Sequence, residues 1–364
     1  MRVLVVNAGS TSLKLAVVEH GERVARTDLH ELDLDGLTTF IEREGARIDA
    51  VGHRVVHGGE RFDSPARLDA DALRTLDDLS DLAPLHNGPA LAAADTARRA
   101  LGGVPHVACF DTAFHAGLPP EARTLAVPAE WREGWGVRRF GFHGLSHGWT
   151  SRRVAELAGP GLRLVSAHLG AGVSLCAVAD GVSVDTTMGF TPTDGLVMAT
   201  RSGSIDPGAL TWAMRHHGLD ADEVDRALTE RAGLLGLSGR TGRMEELEAA
   251  ATGGDAGARL AIGVYLHSLR AGIAAMAAAL GGIEALAFTG GVGEHSPAVR
   301  AGACAGLGFL GVGLDEAANA AAGVGEETEL SSPGAPVRVF VVPAREDLRI
   351  AAEVEEALEA GTGP

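Results

Sequence analysis

Short apolar runs alternate with clusters of glycine, serine, threonine and asparagine along much of the chain. Near the N-terminus, the runs "VLVV" and "LKLAVV" flank "NAGSTS", a spacing that predicts a β-hairpin. The stretch "RLVSAHLGAGVSLCAVADGVSVDTT" repeats this arrangement around "HLGAG". Two similar hairpins, one in each half of the chain, predict a duplicated architecture.

Helical patterns follow several of these strands. "SIDPGALTWAMRHHG" predicts a helix with Asp206 as N-cap, Pro207 in the first turn and Gly218 at its end. "PLHNGPALAAADTARRALGG" predicts a loop and then a helix that begins near Pro89, and "ALAFTGGVGEHSPAVRAG" predicts a strand, a glycine-rich loop and a helix. Strands that alternate with helices indicate α/β layers, and 364 residues suffice for two domains.

Charge and composition narrow the class of partner. A formal net charge of −17 would repel nucleic acid, and three widely spaced cysteines suggest a reducing compartment. The N-terminal apolar run stops at Asn7, which is too early for a signal peptide, and the longest apolar stretch, 271–283, is too short to span a bilayer. We therefore expect a soluble, cytoplasmic protein with neither a nucleic-acid nor a membrane partner.

Glycine-containing clusters are interpreted as turns at strand ends, at 7–12, 168–172, 201–204 and 289–295. Backbone N–H groups and hydroxyls that converge in such turns suit phosphate groups. Any one cluster could be an ordinary turn, but their number favours a nucleotide. The chain contains no GxxxxGK[ST] motif, and "GGVGEH" lacks the partner acid of a dinucleotide fold, which argues against the P-loop and Rossmann classes.

Several charged residues are candidates for chemistry at these turns. Arg54 and Arg201 could clamp a carboxylate or a phosphoryl group, although single arginines are usually solvated. Asp111 and Glu346 each follow an apolar strand and could form a magnesium pair, with helix capping as the alternative for Glu346. His143 lacks the acidic neighbour of a zinc motif, so a hydrogen bond to phosphate is the better interpretation.

In combination these motifs resemble the acetate kinase family. The blocks that carry the resemblance occur in order along most of the chain: "VNAGSTSLK", "GHRVVHGGERF", "APLHNGPAL", "CFDTAFH", "RRFGFHGLSH", "HLGAGVS", "MGFTPTDGLVMATRSGSIDPG", "GLLGLSG" and "FTGGVGEHSP". The resemblance implies an α/β fold of the actin, heat-shock-protein and sugar-kinase superfamily, with duplicated ribonuclease-H-like cores around a central cleft. The implied domains are 1–112 plus 348–364 and 113–347.

The resemblance also implies reversible phosphoryl transfer between ATP and acetate, assisted by Mg²⁺ or Mn²⁺, in a homodimer. It assigns catalysis to Asp111, Arg54, Arg201 and His143, and the metal to Asn7 and Glu346. It assigns the acyl pocket to Val56, Leu85, Phe142 and Pro192. It assigns phosphate and nucleotide binding to Lys14, Ser10, Ser12, His168, Leu169, Gly170, Ala171, Gly172, Arg243, Met244, Glu245, Gly291, Val292, Gly293, Glu294 and His295.

Departures from the family pattern fall on the adenosine side. Ala171 and His295 stand where asparagine is usual, and Arg243 and Glu245 reverse the signs of an Asp and an Arg. The reversed charges could pair with each other, or they could weaken the usual adenosine contacts. The alternatives that stay open are a propionate-preferring kinase, an acetate kinase with another donor such as pyrophosphate, and a non-catalytic nucleotide-binding relative.

Overall fold

The computed structural model describes residues 1–9, 12–30, 32–44, 47–79 and 84–360, without the side chains of 84–86. The chain forms two compact units. Unit 1 comprises Met1–Ala116, Phe142–Trp149 and Arg345–Pro364, and unit 2 comprises Gly117–Gly141 and Thr150–Ala344. Residues 142–149 thus belong to unit 1. The domain boundaries expected from the sequence, 1–112 plus 348–364 and 113–347, stay a prediction.

Unit 1 contains a six-stranded mixed sheet in the order β3-β2-β1-β4-β6-β5. Its strands are β1 (Arg2–Ala8), β2 (Ser12–Glu19), β3 (Glu22–His30), β4 (Ala50–Val55), β5 (Ala66–Arg67) and β6 (His106–Phe110). Its helices are α1 (Leu34–Glu44), α2 (Ala70–Asp78), α3 (Pro84–Ala100) and α15 (Glu346–Ala360). Strands β1, β4 and β6 are parallel neighbours, and β1, β2 and β3 form an antiparallel meander.

The alternation of side chains along β1 places one polar residue at the candidate site. Leu4 and Val6 pack in the cluster that includes residues of α1 and α3, and Val3 and Val5 pack against residues of α15. Successive side chains of a strand point to opposite faces of the sheet. Asn7 therefore continues the series on the α15 face, near the start of that helix.

Unit 2 contains a second six-stranded mixed sheet in the order β11-β12-β10-β7-β8-β9. Its strands are β7 (Arg163–Leu169), β8 (Val173–Ala179), β9 (Val182–Thr186), β10 (Ala285–Thr289), β11 (Thr328–Glu329) and β12 (Arg338–Val341). Its helices are α4 (Pro120–Arg123), α5 (Ala129–Gly134), the C-terminal part of α6 (Gly144–Ala158), α7 (Pro207–His217), α8 (Ala221–Glu230), α9 (Gly233–Ser238), α10 (Met244–Thr252), α11 (Ala256–Ala279), α12 (Gly290–His295), α13 (Pro297–Cys304) and α14 (Glu316–Ala321).

The two sheets share one topology, which confirms the predicted duplication. In each sheet an antiparallel meander of three strands continues into two parallel strands, and the last of these pairs with a short antiparallel strand of two residues. Both predicted hairpins are present, as β1–β2 and β7–β8. The caps predicted for α7 are also confirmed, because Asp206 accepts from the Gly208 N–H and Gly218 adopts a left-handed conformation.

Three local predictions were wrong. Helix α3 begins at Pro84 and contains Pro89 in its second turn, where the proline removes one backbone hydrogen bond without ending the helix. The cluster 201–204 lies in an irregular segment after β9 and not at a strand end. The segment "GGVGEH", predicted as a loop, forms α12.

Residues 271–279 of the apolar stretch 271–283 form the C-terminal part of a longer helix. Helix α11 has 24 residues and is the one helix in the described ranges long and apolar enough to cross a membrane by length and composition. One such helix is weak evidence, because the core helix of a soluble protein passes the same test. Seven of its side chains are buried, among them Tyr265 and Ile273.

Candidate active site

Arg54 and Asp111 form a buried ion pair at the carboxyl ends of two parallel strands. Strands β4 and β6 align Val55 with Phe110, and the Asp111 N–H donates to the Val55 carbonyl at 3.0 Å. The Nη2 atom of Arg54 donates to Oδ2 of Asp111 at 2.6 Å, and its Nε lies 3.2 Å from each carboxylate oxygen. The side chain of Asp111 is 1% exposed and that of Arg54 is 13% exposed.

Asn7 extends this pair to a second carboxylate. Nη1 of Arg54 donates to Oδ1 of Asn7 at 3.2 Å, and Nδ2 of Asn7 donates to Oε2 of Glu346 at 2.8 Å. Glu346 is the first residue of α15. The structure thus joins four residues singled out in the sequence into one chain of contacts, Asp111–Arg54–Asn7–Glu346, which we call the carboxylate network.

The network fixes the charge of its arginine. Burial by itself would lower the pKa of Arg54, but the charges of Asp111 and Glu346 raise that pKa above its ordinary value. Burial raises the pKa of Asp111, and Glu346 adds to this effect, while Arg54 and the backbone N–H of His143 oppose it. Arg54 is therefore a permanent, oriented cation.

His143 is held close to Asp111 by an unusual backbone conformation. Its φ angle is +56°, a left-handed value that is rare for a residue with a side chain, and its N–H donates to the Asp111 carboxylate. The N–H of Gly144 donates to the Asp111 carbonyl at 2.9 Å. A Cβ atom on Gly144 would collide with that carbonyl oxygen, which explains why glycine follows the histidine.

Two of the three acyl-pocket candidates of unit 1 are buried, and one of them packs against a ring. Val56 is 3% exposed and Phe142 is 1% exposed. The ring of Phe142 contacts that of His57 edge-on at 5.5 Å, and its carbonyl lies 3.0 Å from Nε2 of His115. The side chain of Leu85 lies outside the described residues.

Asn87, which the sequence analysis missed, holds the backbone of His57 next to Val56. Its Oδ1 accepts from the His57 N–H and its Nδ2 donates to the His57 carbonyl, both at 3.1 Å. The side chain is fully buried at the start of α3. The available signal was the motif "APLHNGPAL", in which a polar amide precedes a helical pattern.

The N-terminal hairpin is described on either side of its tip, and Ser10 lies outside the described residues. The carbonyl of Ser12 accepts from the Gly9 N–H at 2.8 Å. Lys14 is exposed on β2 and pairs with Asn7 of β1.

In unit 2, Arg201 lies in a loop that is tied to the β7–β8 turn. Nη1 of Arg201 donates to the Pro192 carbonyl at 3.1 Å, so the catalytic and acyl-pocket candidates of this unit are neighbours. The N–H of Ala199 donates to the Ala171 carbonyl at 3.0 Å. The turn itself, with Gly170 donating to the Gly172 carbonyl at 3.0 Å, follows His168 and Leu169 at the end of β7.

Helix α12 begins beside the same turn. Strands β7 and β10 pair His168 with Thr289, and Gly290 follows with a φ angle of +79°. A Cβ atom on Gly290 would lie 2.9 Å from the Leu169 carbonyl oxygen, so this position requires glycine. The turn 168–172 and the segment 290–295 therefore meet at one edge of the unit 2 sheet.

Arg300 explains why this glycine-rich segment is helical. Its Nη1 donates to the carbonyls of Gly293 and Glu294 at 2.9 Å each, and its Nε donates to Oδ1 of Asn319 at 2.7 Å. These contacts satisfy carbonyl groups in the last turn of α12, which the low helix propensity of three glycines would otherwise leave frayed. Arg300 is fully buried, and the sequence analysis did not identify it.

The charge-reversed segment forms a different ion pair from the one considered. Nε of Arg243 lies 3.0 Å from Oε1 of Glu246, and no salt bridge of the described residues joins Arg243 to Glu245. Met244 is buried, and Glu245 is exposed.

The middle of α10 contacts the residue that follows α12. Ser296, directly after α12, donates its hydroxyl to Oε1 of Glu248 at 2.5 Å. His295 places Nδ1 2.7 Å from the Gly291 carbonyl, so Nδ1 carries the proton and donates it.

The duplicated topology and the sequence relationships define a phosphotransferase with a carboxyl group as acceptor. The sequence model of the Acetokinase family matches residues 29–352. The acetate kinase of Leifsonia xyli subsp. xyli is 48% identical over 356 residues, covering 97% of this chain and 88% of the relative. The chain belongs to the acetokinase family, as its motifs indicated.

Solved structures agree with this assignment. The acetate kinase of Porphyromonas gingivalis superposes with a TM-score of 0.90 at 33% identity, covering 98% of this chain and 99% of that one. A propionate kinase from Francisella tularensis subsp. tularensis superposes with a TM-score of 0.89 at 33% identity, covering 97% and 98%. The fold is the actin-like two-domain fold of these enzymes.

Proposed function

We propose that this protein transfers the terminal phosphoryl group of ATP reversibly to acetate, giving acetyl phosphate and ADP. Membership of the acetokinase family supports the reaction class. The single observation that carries the proposal is the intact carboxylate network, because it supplies an oriented cation and two carboxylates at the carboxyl ends of parallel strands.

The mechanism follows from the charges of the reactants. Acetate is ionised at neutral pH, so its oxygen attacks phosphorus without a general base. The obstacle is the repulsion between two anions, and fixed positive charge lowers that barrier. Arg54 and Arg201 supply this charge, and His143 donates a hydrogen bond to the phosphoryl group. Asp111 orients Arg54 through its bidentate contact and does not accept a proton.

The residues of the network fit a magnesium ion. The donor set consists of the carboxylates of Asp111 and Glu346 with the amide oxygen of Asn7, which are hard oxygen ligands. Among the described residues no group of three His, Cys, Asp or Glu side chains could enclose a metal, so water and phosphate oxygens would complete the shell. Mg²⁺, or Mn²⁺, would neutralise charge on the phosphates when bound.

The acyl pocket supports a small acid. Val56 and Phe142 are both buried. The branched side chain of Val56 would limit the length of the acyl group that the pocket accepts. Propionate is the second candidate acceptor, and the similarity to a propionate kinase supports it only weakly. One methylene discriminates by about 1–3 kcal/mol, so propionate should react more slowly than acetate.

ATP is the donor that family membership supports. The turn 168–172 and the segment 290–295 would hold its phosphates and nucleoside. Arg243 and Glu245 depart from the family pattern, and pyrophosphate is therefore the alternative donor. We also propose a cytoplasmic homodimer, on the composition and the resemblance described above.

Hydroxylamine trapping of acyl phosphate tests the function. Purified protein is incubated with Mg²⁺, hydroxylamine, one acid (acetate, propionate or butyrate) and one donor (ATP, GTP or pyrophosphate). The expected result is the highest turnover with acetate and ATP, and its loss in Arg54→Gln. The matched control is Arg26→Gln, which removes an exposed pair with Asp28. ATP binding without acyl phosphate from any acid would contradict the proposal and favour a non-catalytic relative.

A further inference from the structure

Lys14 is the only lysine of the chain, and it lies at the candidate active site. The other 30 of the 31 basic residues are arginines. Strand register pairs Lys14 with Asn7 on one side and with Asp28 on the other. Directly opposite residues in a sheet point to the same face, with Cβ atoms about 4.5–5.5 Å apart. Lys14 is therefore one strand away from the carboxylate network that Asn7 joins.

The ammonium group of Lys14 is accessible, and no ion pair among the described residues holds it. Its side chain is exposed. The neighbouring carboxylate of Asp28 is engaged by Arg26, with contacts of 2.9 Å from Nε and 2.5 Å from Nη2. In the part of the chain that the structure describes, no salt bridge reaches Lys14 itself. Its amine is thus open to reagents that approach the site.

The proposed product is such a reagent. We propose that Lys14 is acetylated by acetyl phosphate, an inference that rests on the function proposed above. The neutral amine attacks the carbonyl carbon and forms a C–N bond, while the bond from that carbon to the bridging oxygen breaks. Inorganic phosphate leaves, and the amine proton passes to the departing phosphate or to solvent. No oxidant or further co-reactant is required.

Competing amines and accessible thiols are few. Arginine stays protonated at neutral pH and does not react as an amine. The three cysteines, Cys109, Cys176 and Cys304, are buried. The amino group of Met1 is the other amine of the described chain, and it lies 3.5 Å from a carboxylate oxygen of Glu355.

Acetylation would change the electrostatics of the site. It converts a cation into a neutral amide, which can neither pair with phosphate nor offset the two carboxylates of the network. Loss of one charged donor at a phosphoryl-transfer site lowers the rate by about 10²–10³-fold. Acetyl phosphate would therefore switch off the enzyme that makes it, at one identifiable residue.

Peptide mass spectrometry with a parallel activity assay tests this inference. Purified protein is incubated with acetyl phosphate, or with acetate as control, then desalted, digested and assayed with acetate and ATP. We expect one acetyl group on Lys14 in the acetyl phosphate sample only, and a loss of activity that follows Lys14 occupancy over time. Acetylation confined to Met1, or full activity in protein acetylated at Lys14, would overturn the inference.

Lys14→Arg serves as the matched variant, because arginine keeps the charge and cannot be acetylated under these conditions. Its activity after treatment is compared with its own untreated sample, and the expected ratio is one. The inference would be overturned if the ratio of treated to untreated activity fell in Lys14→Arg as far as it does in the original protein. The untreated protein is assayed by hydroxylamine trapping, so a failure of the proposed function is seen separately from a failure of acetylation.

Discussion

Replacing Arg54 by glutamine removes the cation that faces the most buried carboxylate of the network. Asp111 is 1% exposed, and its closest contact is the 2.6 Å hydrogen bond from Arg54. In Arg54→Gln the neutral amide cannot oppose the effects of burial and of Glu346, which both raise the pKa of Asp111. The variant should therefore lose stability as well as activity.

The two losses have different sizes. Breaking a buried ion pair by removing one partner costs about 3–5 kcal/mol, because the remaining charge is left without compensation. Since the Arg54 side chain is 13% exposed, water can partly replace it, and we expect a decrease of about 3 kcal/mol in the free energy of unfolding. In the proposed mechanism the charge of Arg54 acts on the transferred phosphoryl group, so its loss should lower kcat by about 10²–10³-fold.

Urea unfolding and acyl phosphate trapping measure these quantities on the same preparations. Arg26→Gln is the control, since the pair of Arg26 with Asp28 is about half exposed and should contribute about 1 kcal/mol or less. The reasoning would be refuted if the free energy of unfolding of Arg54→Gln lay within about 1 kcal/mol of that of the original protein and the variant kept its turnover. About 1 kcal/mol is the most that an exposed ion pair usually contributes.

Three further predictions address the acyl pocket, acid stability and the nucleotide segment. Val56→Ala should shift the ratio of kcat/KM for propionate to that for acetate upward by about 10-fold, and an unchanged ratio would remove Val56 from the pocket. His53 and His106 are buried with Nε2 and Nδ1 2.9 Å apart, and burial lowers both pKa values. Below about pH 6.5 the unfolded chain thus binds protons that the folded chain does not. The free energy of unfolding should therefore fall, as the pH falls, by up to about 1.4 kcal/mol per pH unit for each histidine. Urea titrations that show no such fall would contradict this prediction. Arg300→Gln should raise KM for ATP about 10-fold without changing KM for acetate, because it releases the last turn of α12. The control is Arg270→Gln, which loses one hydrogen bond of 3.4 Å to the Gly302 carbonyl. Equal changes in both KM values would indicate a general loss of structure.

The duplicated topology could be predicted from the sequence because it depends on local alternation. Apolar strands such as β1 and β7 are interrupted by turn formers at both hairpins, and the same pattern in each half indicates the same pairing. The caps of α7 were predictable for the same reason, since Asp206 and Gly218 act within one turn of the helix.

The contacts that organise the candidate site were harder to predict from the sequence. The sequence singled out Arg54 and Asp111 separately and did not predict the ion pair between them, which the strand register creates. Register between β4 and β6 depends on tertiary packing, because residues 56–105 separate the two strands.

Helix α12 is a second feature that could not be predicted from local sequence. Three glycines in "GGVGEH" favour a loop on propensity, but Arg300 and Asn319 hold the segment as a helix. Tertiary hydrogen bonds of this kind override local propensity, and only the folded chain reveals which arginine of thirty provides them.

The most direct test of the central claim is phosphorus NMR of the protein mixed with Mg²⁺, ATP and acetate. We predict that resonances of acetyl phosphate and ADP grow together, that neither grows without acetate, and that both are absent with Arg54→Gln on the same timescale. Formation of ADP and inorganic phosphate at the same rate with and without acetate would contradict the account, because the protein would then hydrolyse ATP without using a carboxyl acceptor.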